Sequence, residues 1–282
     1  MKTLVTGATG NIGSRVVERL LERGERPRVF VRDADKARAR FGDRVEVAVG
    51  DLGDMESLRA ALVGMDALFL ANSGPELVVR DAEAAKVAKD AGVRRLVKLS
   101  SMDSLQGVGT GVWHAQGEAA IRASGVGFAF VQPTGFMSNV LFWARSIKAA
   151  GVVRSTTGDG RIPFIHPEDI AAVAVEALMR PELAGASLAI SGPEALSYAE
   201  MAERLGRAIG KTVRFEEISE DVVRQRMIGA GDGVEVIEAH LSIYRRIREG
   251  KLAEVTDTVE RVLGRKAISF EEWVEENVGV FG

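Results

Sequence analysis

The chain of 282 residues contains no cysteine. Disulfides, thiolate–metal sites, iron–sulfur clusters and cysteine nucleophiles are therefore excluded together. Histidine is nearly as scarce, with only His114, His166 and His240. These three lie far apart in sequence and have no His or Cys at ligand spacing, so we predict no metal site.

Neither sign of charge is in excess, because 37 Lys and Arg face 40 Asp and Glu. A net charge of −3 argues against a protein that coats nucleic acid or an anionic membrane. No apolar run approaches the roughly 18–20 residues of a membrane span. The N-terminus runs straight into a glycine motif, which leaves no room for a signal peptide. We expect a cytoplasmic protein that binds neither nucleic acid nor membrane, as a monomer or a homodimer.

Short apolar runs alternate with amphipathic segments over the first two-thirds of the chain. The predicted strands are residues 3–6, 28–31, 45–49, 67–70, 95–99 and 127–132. Two of the segments between these strands, residues 12–23 and 78–91, have helical periodicity. Nearly apolar strands that are each followed by a helix predict a parallel sheet covered on both faces. Right-handed crossovers then give a doubly wound, Rossmann-type α/β fold.

After residue 133 the pattern becomes mostly helical. Helices are predicted over residues 138–150, 167–179, 197–209 and 235–248, with short isolated strands at 188–191 and 213–215. We predict a Rossmann-type domain over residues 1–133, with sheet contributions from later segments. Residues 134–282 are predicted to form a smaller lobe that does not fold independently. Since ligands of such sheets bind at the carboxyl ends of the strands, the lobe is expected to cover the ligand cleft.

A glycine-rich turn follows the first predicted strand and opens the first helix. Its spacing is GxxGxxG, with Gly7, Gly10 and Gly13. Such a turn lets the backbone approach a pyrophosphate, and the amides of the helix start attract phosphate. The predicted dinucleotide-binding residues of the turn are Gly7, Thr9, Gly10, Asn11, Ile12 and Gly13. A glycine-rich turn without a ligand is the alternative.

A basic residue ends the second predicted strand, where a cofactor without a 2′-phosphate usually meets Asp or Glu. Arg32 lies there, and Lys36 follows. A guanidinium can bind a phosphate in a bidentate manner, whereas a carboxylate would repel it. The sequence therefore favours NADPH over NADH. Two alternatives stay open: a solvated basic loop, or competition from the adjacent Asp33.

Polar and small residues follow the next two strands. Asp51 and Leu52 come after the third strand and are predicted to contact the adenine ring. Ala71, Asn72 and Ser73 come after the fourth, where the backbone must run close to ribose and phosphates. Each stretch could also be a simple polar loop. Because both stand at strand ends, we predict that both bind the cofactor.

These stretches together resemble the NmrA-like branch of the atypical short-chain dehydrogenase/reductase superfamily. The similar segments span nearly the whole chain: residues 6–13, 31–33, 50–52, 98–101, 114–125, 132–139, 164–170 and 190–194. The resemblance implies an NAD(P)-binding protein in which Ser100 and Pro133 also contact the cofactor. That family includes NADPH-dependent reductases of quinones and azo compounds. It also includes regulators that bind NAD(P) without known turnover.

The wider superfamily uses a Tyr-x-x-x-Lys pair as proton donor, and this chain lacks it. Its only tyrosines, Tyr198 and Tyr244, are not followed by lysine at that spacing. His114 stands at about the position of the tyrosine and Glu118 at that of the lysine. With an unperturbed pKa of about 6.5, His114 could pass a proton to an oxyanion and is the predicted catalytic residue. The alternative is a histidine at a helix start that hydrogen-bonds within the structure or merely orients the substrate.

A site without the tyrosine favours acceptors whose charge is delocalised once they are reduced. We therefore predict an NADPH-dependent reductase of quinone-like or other conjugated small molecules, with a redox-sensing regulator acting through a protein partner as the alternative. A flat apolar substrate would suit an aromatic cleft. The predicted substrate residues are Trp113, Phe136, Met137, Phe142 and Trp143. At helical spacing, Phe142 and Trp143 could equally be ordinary core.

Overall fold

The alternating pattern gives eleven strands and twelve α-helices in the computed structural model, which describes residues 1–282. The strands are β1 (Thr3–Thr6), β2 (Arg28–Val31), β3 (Glu46–Val49), β4 (Ala67–Leu70), β5 (Arg95–Leu99), β6 (Phe128–Pro133), β7 (Val152–Ser155), β8 (Arg161–Ile162), β9 (Ser187–Ile190), β10 (Leu196–Ser197) and β11 (Arg214–Glu217). The helices are α1 (Asn11–Glu22), α2 (Ala34–Phe41), α3 (Met55–Leu62), α4 (Leu77–Asp90), α5 (Gly111–Ser124), α6 (Ala144–Ala150), α7 (Pro167–Met179), α8 (Tyr198–Ile209), α9 (Glu220–Ala230), α10 (Val234–Arg248), α11 (Thr258–Leu263) and α12 (Phe270–Phe281).

Seven strands form one parallel sheet in the order β3-β2-β1-β4-β5-β6-β9. Every residue of β1 and of β4 is buried, as expected for a sheet covered on both faces. The strand order reverses between β1 and β4, where Val5 pairs with both Val29 and Phe69. Ligands of open parallel sheets bind at such a reversal, outside the carboxyl ends of the strands. The predicted doubly wound Rossmann-type fold is confirmed.

The chain divides into two compact units. The first contains residues 1–105, 111–132 and 167–189, and the second contains residues 106–110, 133–166 and 190–282. The predicted boundary near residue 133 coincides with one of these divisions. Helix α7 belongs to the first unit, whereas the sequence prediction assigned that segment to the C-terminal lobe. That the second unit does not fold alone stays a prediction.

Helix α1 of the first unit buries an apolar face in the core. On α1 this face comprises Ile12, Val16, Val17 and Leu20. These residues recur at the three- and four-residue spacing of one helix face, so their burial follows from the periodicity that predicted the helix. Burial of such side chains is the dominant favourable contribution to folding.

The second unit contains the other helices and two small sheets, parallel β7–β11 and antiparallel β8–β10. Its helices have clear local start and stop signals. Ser197 and Glu200 form a reciprocal capping box at the start of α8, and Gly210 ends that helix in a left-handed conformation. Ser269 and Glu272 repeat the capping box at α12.

Two sequence predictions are corrected here. The predicted helix over residues 138–150 is divided, since Met137–Trp143 is a 3-10 helix and only Ala144–Ala150 is α-helical. The predicted strand at 188–191 is not isolated, because β9 is the seventh strand of the central sheet, next to β6. The amide of Phe130 donates to the carbonyl of Ala186 at 2.9 Å, a pairing between segments that lie far apart in sequence.

No helix of the structure combines the length and apolar character that crossing a membrane requires.

Candidate functional site

The glycine turn has the geometry of a phosphate cradle. Gly7 has a left-handed φ of 60°, and its carbonyl accepts from the amide of Gly10 at 2.9 Å. A Cβ on Gly13 would lie 2.2 Å from the Gly7 carbonyl oxygen, so α1 can approach the turn only with glycine there. Gly10 precedes α1 without a side-chain cap, and the first turn carries no carboxylate. This helix start therefore suits the pyrophosphate of a dinucleotide.

The predicted cofactor-binding residues of the turn differ in solvent exposure. Gly7, Gly10 and Asn11 are exposed, Thr9 is half-buried, and Ile12 is buried in the core. The side chain of Ile12 therefore packs within the protein, which leaves its backbone as the part that could face a ligand.

Arg32, the predicted ligand of a 2′-phosphate, lies exposed directly after β2. Its side chain is 85% exposed, and its Nε lies 3.8 Å from Oδ2 of Asp51 after β3. An ion pair this exposed and this long binds weakly, so a phosphate could displace the carboxylate. Lys36, the second predicted phosphate ligand, is exposed in the first turn of α2.

The adjacent Asp33 contacts the backbone of α2 through one of its carboxylate oxygens. Its Oδ1 accepts from the amides of Asp35 and Lys36, both at 3.0 Å, and so caps α2. An aspartate at this position satisfies amides that would otherwise lack a partner. One oxygen of the carboxylate that left the cofactor choice open in the sequence is thus engaged by the helix.

The loop after β3 is preformed by Asp51. Its Oδ1 accepts from the amide of Gly53 at 2.7 Å, while the carboxylate stays about half exposed. Leu52 is half-buried and packs against the core of the first unit. An apolar contact beside a partly free carboxylate fits the predicted adenine site.

Thr6 links the ends of β1 and β4 by hydrogen bonds, at the place where the strand order reverses. Its buried hydroxyl donates to the carbonyl of Phe69 at 3.1 Å and accepts from the amide of Ala71 at 2.8 Å. The Ala71 side chain lies against the place that a Cβ on Gly7 would take. Asn72 accepts from the amide of Ser73 at 2.9 Å, which shapes the loop further. The structure thus brings the predicted residues after β4 next to the glycine turn.

A buried polar cluster includes the residue after β5 and a residue near the end of β6. Oε1 of Glu118 on α5 accepts from Ser100 Oγ at 2.5 Å, Gln132 Nε2 at 2.8 Å and Ser104 Oγ at 3.3 Å. Arg122 reaches the other carboxylate oxygen at 3.4 Å. Ser100, Glu118 and Gln132 are each at most 4% exposed. Ser100 was predicted from the resemblance, whereas Gln132 and Ser104 were missed.

The first unit also contains a buried ion pair. Lys98 on β5 and Asp81 on α4 are both 0% exposed and pair directly. Desolvation raises the pKa of Asp81 and lowers that of Lys98, although the attraction between them opposes both shifts. Asn72 Nδ2 lies 3.4 Å from the carboxylate of Asp81. A Cβ on Gly117 would lie 2.3 Å from that carboxylate, so glycine there makes room for the pair.

His114 lies on α5 one turn before Glu118, and its environment corrects the pKa assumed from the sequence. Burial, and secondarily the charge of Lys98, lower the pKa of His114 to about 3. The imidazole is therefore neutral near pH 7 and cannot donate a proton as an imidazolium. Its buried Nδ1 has no hydrogen-bond partner. A catalytic role for His114 stays a prediction, restricted to the neutral ring.

Both tyrosines belong to the core of the second unit. Tyr198 is 6% exposed and packs on Trp143 with 5.0 Å between ring centroids, and Tyr244 is partly buried against the same core. Burial raises the pKa of Tyr198 well above its usual range. Neither residue is an accessible acid in place of the missing tyrosine.

The predicted substrate residues have very different environments. Met137 is buried in the core of the second unit, and Trp143 packs against that core, which favours the packing alternative for Trp143. Phe142 is 86% exposed, so it is not core. Phe136 is half-buried and forms an isolated bridge with Ile165.

Two predicted residues lie at other elements. Trp113 is half-buried at the start of α5, beside His114 in sequence. Pro133 is buried and is the last residue of β6.

No three His, Asp or Glu side chains lie close enough together to hold a metal ion.

The residues that the sequence analysis missed had one available signal. Lys98 interrupts an otherwise apolar strand, and a charge inside a strand buried on both faces needs a partner. That partner, Asp81, lies 17 residues earlier on a helix, and nothing in the local pattern identifies it.

Known proteins match this chain over nearly its whole length. Residues 1–274 match the model of the NmrA-like family. The chain is 40% identical to the (4-alkanoyl-5-oxo-2,5-dihydrofuran-3-yl)methyl phosphate reductase of Streptomyces griseus, covering 99% of this chain and 98% of that protein. It is 37% identical to the NAD(P)H azoreductase of Xenophilus azovorans, covering 99% of both.

A solved structure has the same fold over nearly the whole length. The NADPH complex of an NADPH-dependent quinone oxidoreductase from Escherichia coli superimposes with a TM-score of 0.87, covering 98% of this chain and 99% of that one, at 24% identity. The resemblance found in the sequence is confirmed: the chain belongs to the NmrA-like family.

Proposed function

We propose that this protein is an NADPH-dependent reductase that transfers hydride to quinone-like or other conjugated small molecules. Its class as an NAD(P)H-dependent reductase rests on the two reductase relatives, which match over almost their full length. The acceptor class and the preference for NADPH come from the residues of this chain.

The observation that carries the acceptor class is the lack of an accessible acid on α5. The neutral His114 takes the place of a tyrosine, and both tyrosines are packed in the other unit. Reduction of an isolated ketone develops a strongly basic alkoxide, which needs a positioned acid. A reduced quinone delocalises its charge, so water or a neutral N–H donor is sufficient.

Preference for NADPH is supported by the charges at the end of β2. Arg32 is largely exposed and Lys36 lies nearby on α2, whereas Asp33 is engaged as a helix cap. A dianionic 2′-phosphate would gain a charge-assisted contact there. The hydroxyl of NADH would gain no such contact.

The roles of the chain in this mechanism are binding and orientation. The amides after Gly10 would hold the pyrophosphate, and Thr6 fixes the loop after β4 beside it. When bound, NADPH supplies the hydride, and a proton from water completes the two-electron reduction. The 86% exposed ring of Phe142 offers a flat apolar surface that an aromatic acceptor could cover.

The proposal is tested by following NADPH consumption and product formation under anaerobic conditions with a naphthoquinone and an azo dye. We expect one NADPH oxidised per quinone reduced, and no reaction with heat-inactivated protein. Tight NADPH binding without turnover of any conjugated acceptor would instead favour the redox-sensing regulator. Absence of NADPH binding would contradict both functions.

A further inference from the structure

The segment from Met137 to Ala150 presents an aromatic ring to solvent. Phe142 is 86% exposed, and it is the only aromatic side chain of the protein that is exposed. The opposite side of the segment is anchored, because Met137, Val140 and Ile147 are buried in the core of the second unit. Single apolar side chains are common at protein surfaces, so the meaning of this ring depends on its neighbours.

Two cations follow the ring on the same face of the segment. Arg145 and Lys148 succeed Phe142 at intervals of three residues, and all three side chains are exposed. The segment begins as a 3-10 helix over Met137–Trp143 and continues directly as α6. Residues three apart lie on one side of either kind of helix, so the ring and the two charges form a continuous surface. We call Phe142, Arg145 and Lys148 the aromatic–basic stripe.

The positive charge of the aromatic–basic stripe is not compensated by carboxylates. No Asp or Glu lies between Glu118 and Asp159, although the chain contains 40 such residues. The other two cations of that stretch form ion pairs, whereas Arg145 and Lys148 form none. A local excess of positive charge beside an apolar ring favours a ligand that is both aromatic and anionic.

The dimensions of the stripe suit a small molecule better than a lipid surface. From Phe142 to Lys148 a helix rises by about 9 Å, which is comparable to a two-ring aromatic system with a short acidic side chain. Segments that bind anionic lipids combine roughly four to eight cations with a broad apolar face. The stripe has two cations and one ring, and the net charge of −3 opposes binding to an anionic surface.

We propose that the aromatic–basic stripe is a subsite for conjugated acceptors that carry a carboxylate, sulfonate or phosphate group. The ring of the acceptor covers Phe142, and its anionic group binds Arg145 and Lys148. A guanidinium binds such an oxyanion in a bidentate manner, and the lysine adds a second charge. The stripe binds and orients the acceptor and takes no part in hydride or proton transfer. This inference rests on the proposed function, since it names the acceptor class of that reductase.

The test compares two naphthoquinones that differ only in side-chain charge, at saturating NADPH. One carries a propanoate group and the other the uncharged propanamide, and two methylene groups insulate the ring from either. Steady-state kinetics of the unmodified protein should give a KM for the propanoate about twofold to tenfold below that for the propanamide, as expected for one or two exposed ion pairs. Sodium chloride at about 0.5 M should reduce the difference by screening these pairs.

A charge reversal and its matched control localise the effect. Arg145→Glu should raise the KM for the propanoate above that for the propanamide, whose own KM should change little. Lys86→Glu reverses an exposed, unpaired cation on α4, so it makes the same change in net charge and should keep the preference. Phe142→Ala should raise both KM values without changing their ratio, because both acceptors contain the ring. Thermal melting of each variant checks that the fold is retained.

The subsite is overturned by equal KM values in the unmodified protein, or by a preference for the propanoate that survives Arg145→Glu. Loss of the preference in Lys86→Glu would also overturn it, since net charge would then be the cause. In all these cases the reductase proposal stands. If neither naphthoquinone is reduced with NADPH, the proposed function itself fails.

A lipid surface is the other occupant that this chemistry could recruit. Co-sedimentation with phosphatidylserine vesicles should show no binding of the unmodified protein. Vesicle binding that Phe142→Ala and Arg145→Glu both abolish would assign the stripe to anionic lipid and overturn the acceptor subsite.

Discussion

The two ends of the candidate site in the first unit are built in opposite ways. The glycine turn and Arg32 are exposed, lie within 32 residues of the N-terminus, and act through backbone amides and one guanidinium. The cluster around Glu118 and the pair of Lys98 with Asp81 are buried and come from separate strands and helices. Gly10 and Arg32 of the exposed end can be changed with little effect on the fold, whereas changes at the buried end are expected to lower stability.

The largest effect is expected at the exposed end. A branched side chain at Gly10 would occupy the place of the pyrophosphate, so Gly10→Val should abolish measurable NADPH binding in a calorimetric titration. Its Cβ would lie 3.1 Å from the Gly7 carbonyl oxygen, a tight contact that the turn can absorb, and the circular dichroism spectrum should persist.

Gly279→Ala is the control for this variant, because a Cβ there meets no atom within 4 Å. It should bind NADPH as the unmodified protein does. Normal binding by Gly10→Val would mean that the turn does not hold the phosphates.

A large effect on stability is expected at the buried end. Lys98→Met removes one partner of a fully buried ion pair and leaves Asp81 as an uncompensated carboxylate. Such a change lowers the free energy of unfolding by about 3–5 kcal/mol. Urea unfolding of Lys98→Met should show this loss, and the double variant Lys98→Met with Asp81→Leu should recover much of it. If the double variant is no more stable than the single one, the cost does not arise from an unpaired charge.

Cofactor choice should change at Arg32 without a change in stability. Arg32→Ala should weaken NADPH binding by about tenfold to a hundredfold, the value of a charge-assisted contact of roughly 1.5–3 kcal/mol. NADH affinity should stay the same, so the preference between the cofactors should largely vanish. Arg38→Ala, which removes another exposed arginine of the same segment, should keep the preference. Equal affinities of the unmodified protein for both cofactors would contradict the assignment.

The smallest expected effect concerns pH and His114. Its pKa is about 3 in the folded state against about 6.5 when unfolded, so the unfolded state binds more protons between these values. Stability should therefore fall as the pH drops below about 6.5, by at most roughly 1 kcal/mol per pH unit for this partly buried group. His114→Gln should remove that part of the slope.

Asp103 contributes in the opposite direction, because burial raises its pKa to about 6 and its stabilising effect is lost as the pH rises through that value. Comparing His114→Gln with the unmodified protein by urea unfolding at several pH values cancels this contribution. An unchanged slope would mean that the pKa of His114 is the same in the folded and the unfolded protein. The same neutral ring predicts a pH–rate profile without an inflection from His114 between pH 5 and 9.

The strands and the turn at the exposed end could be predicted from the sequence because their information is local. The bounds of β1, β2, β4 and β5 agree with the prediction to the residue, since short apolar runs are bounded by turn residues. The glycine turn lies in one motif, and Arg32 follows the next strand directly. The hydrogen bonds by which Asp33 caps α2 also involve residues only two and three positions away.

The buried end depends on partners that sequence spacing does not reveal. Glu118 meets Ser100 and Gln132 across 18 and 14 residues, and β9 joins the sheet through a pairing of distant segments. The pKa of His114 depends on desolvation and on the charge of Lys98, neither of which the sequence displays. Tertiary packing determines all of these features.

The measurement that tests the account most directly compares two acceptors in the same protein with NADPH. We predict that kcat/KM for a naphthoquinone exceeds that for a saturated cyclic ketone by several orders of magnitude, because no accessible acid stands ready for a localised alkoxide. Reduction of the ketone at a rate comparable to that of the quinone would contradict the account, and would require a proton donor that neither His114 in its neutral form nor the two tyrosines supply.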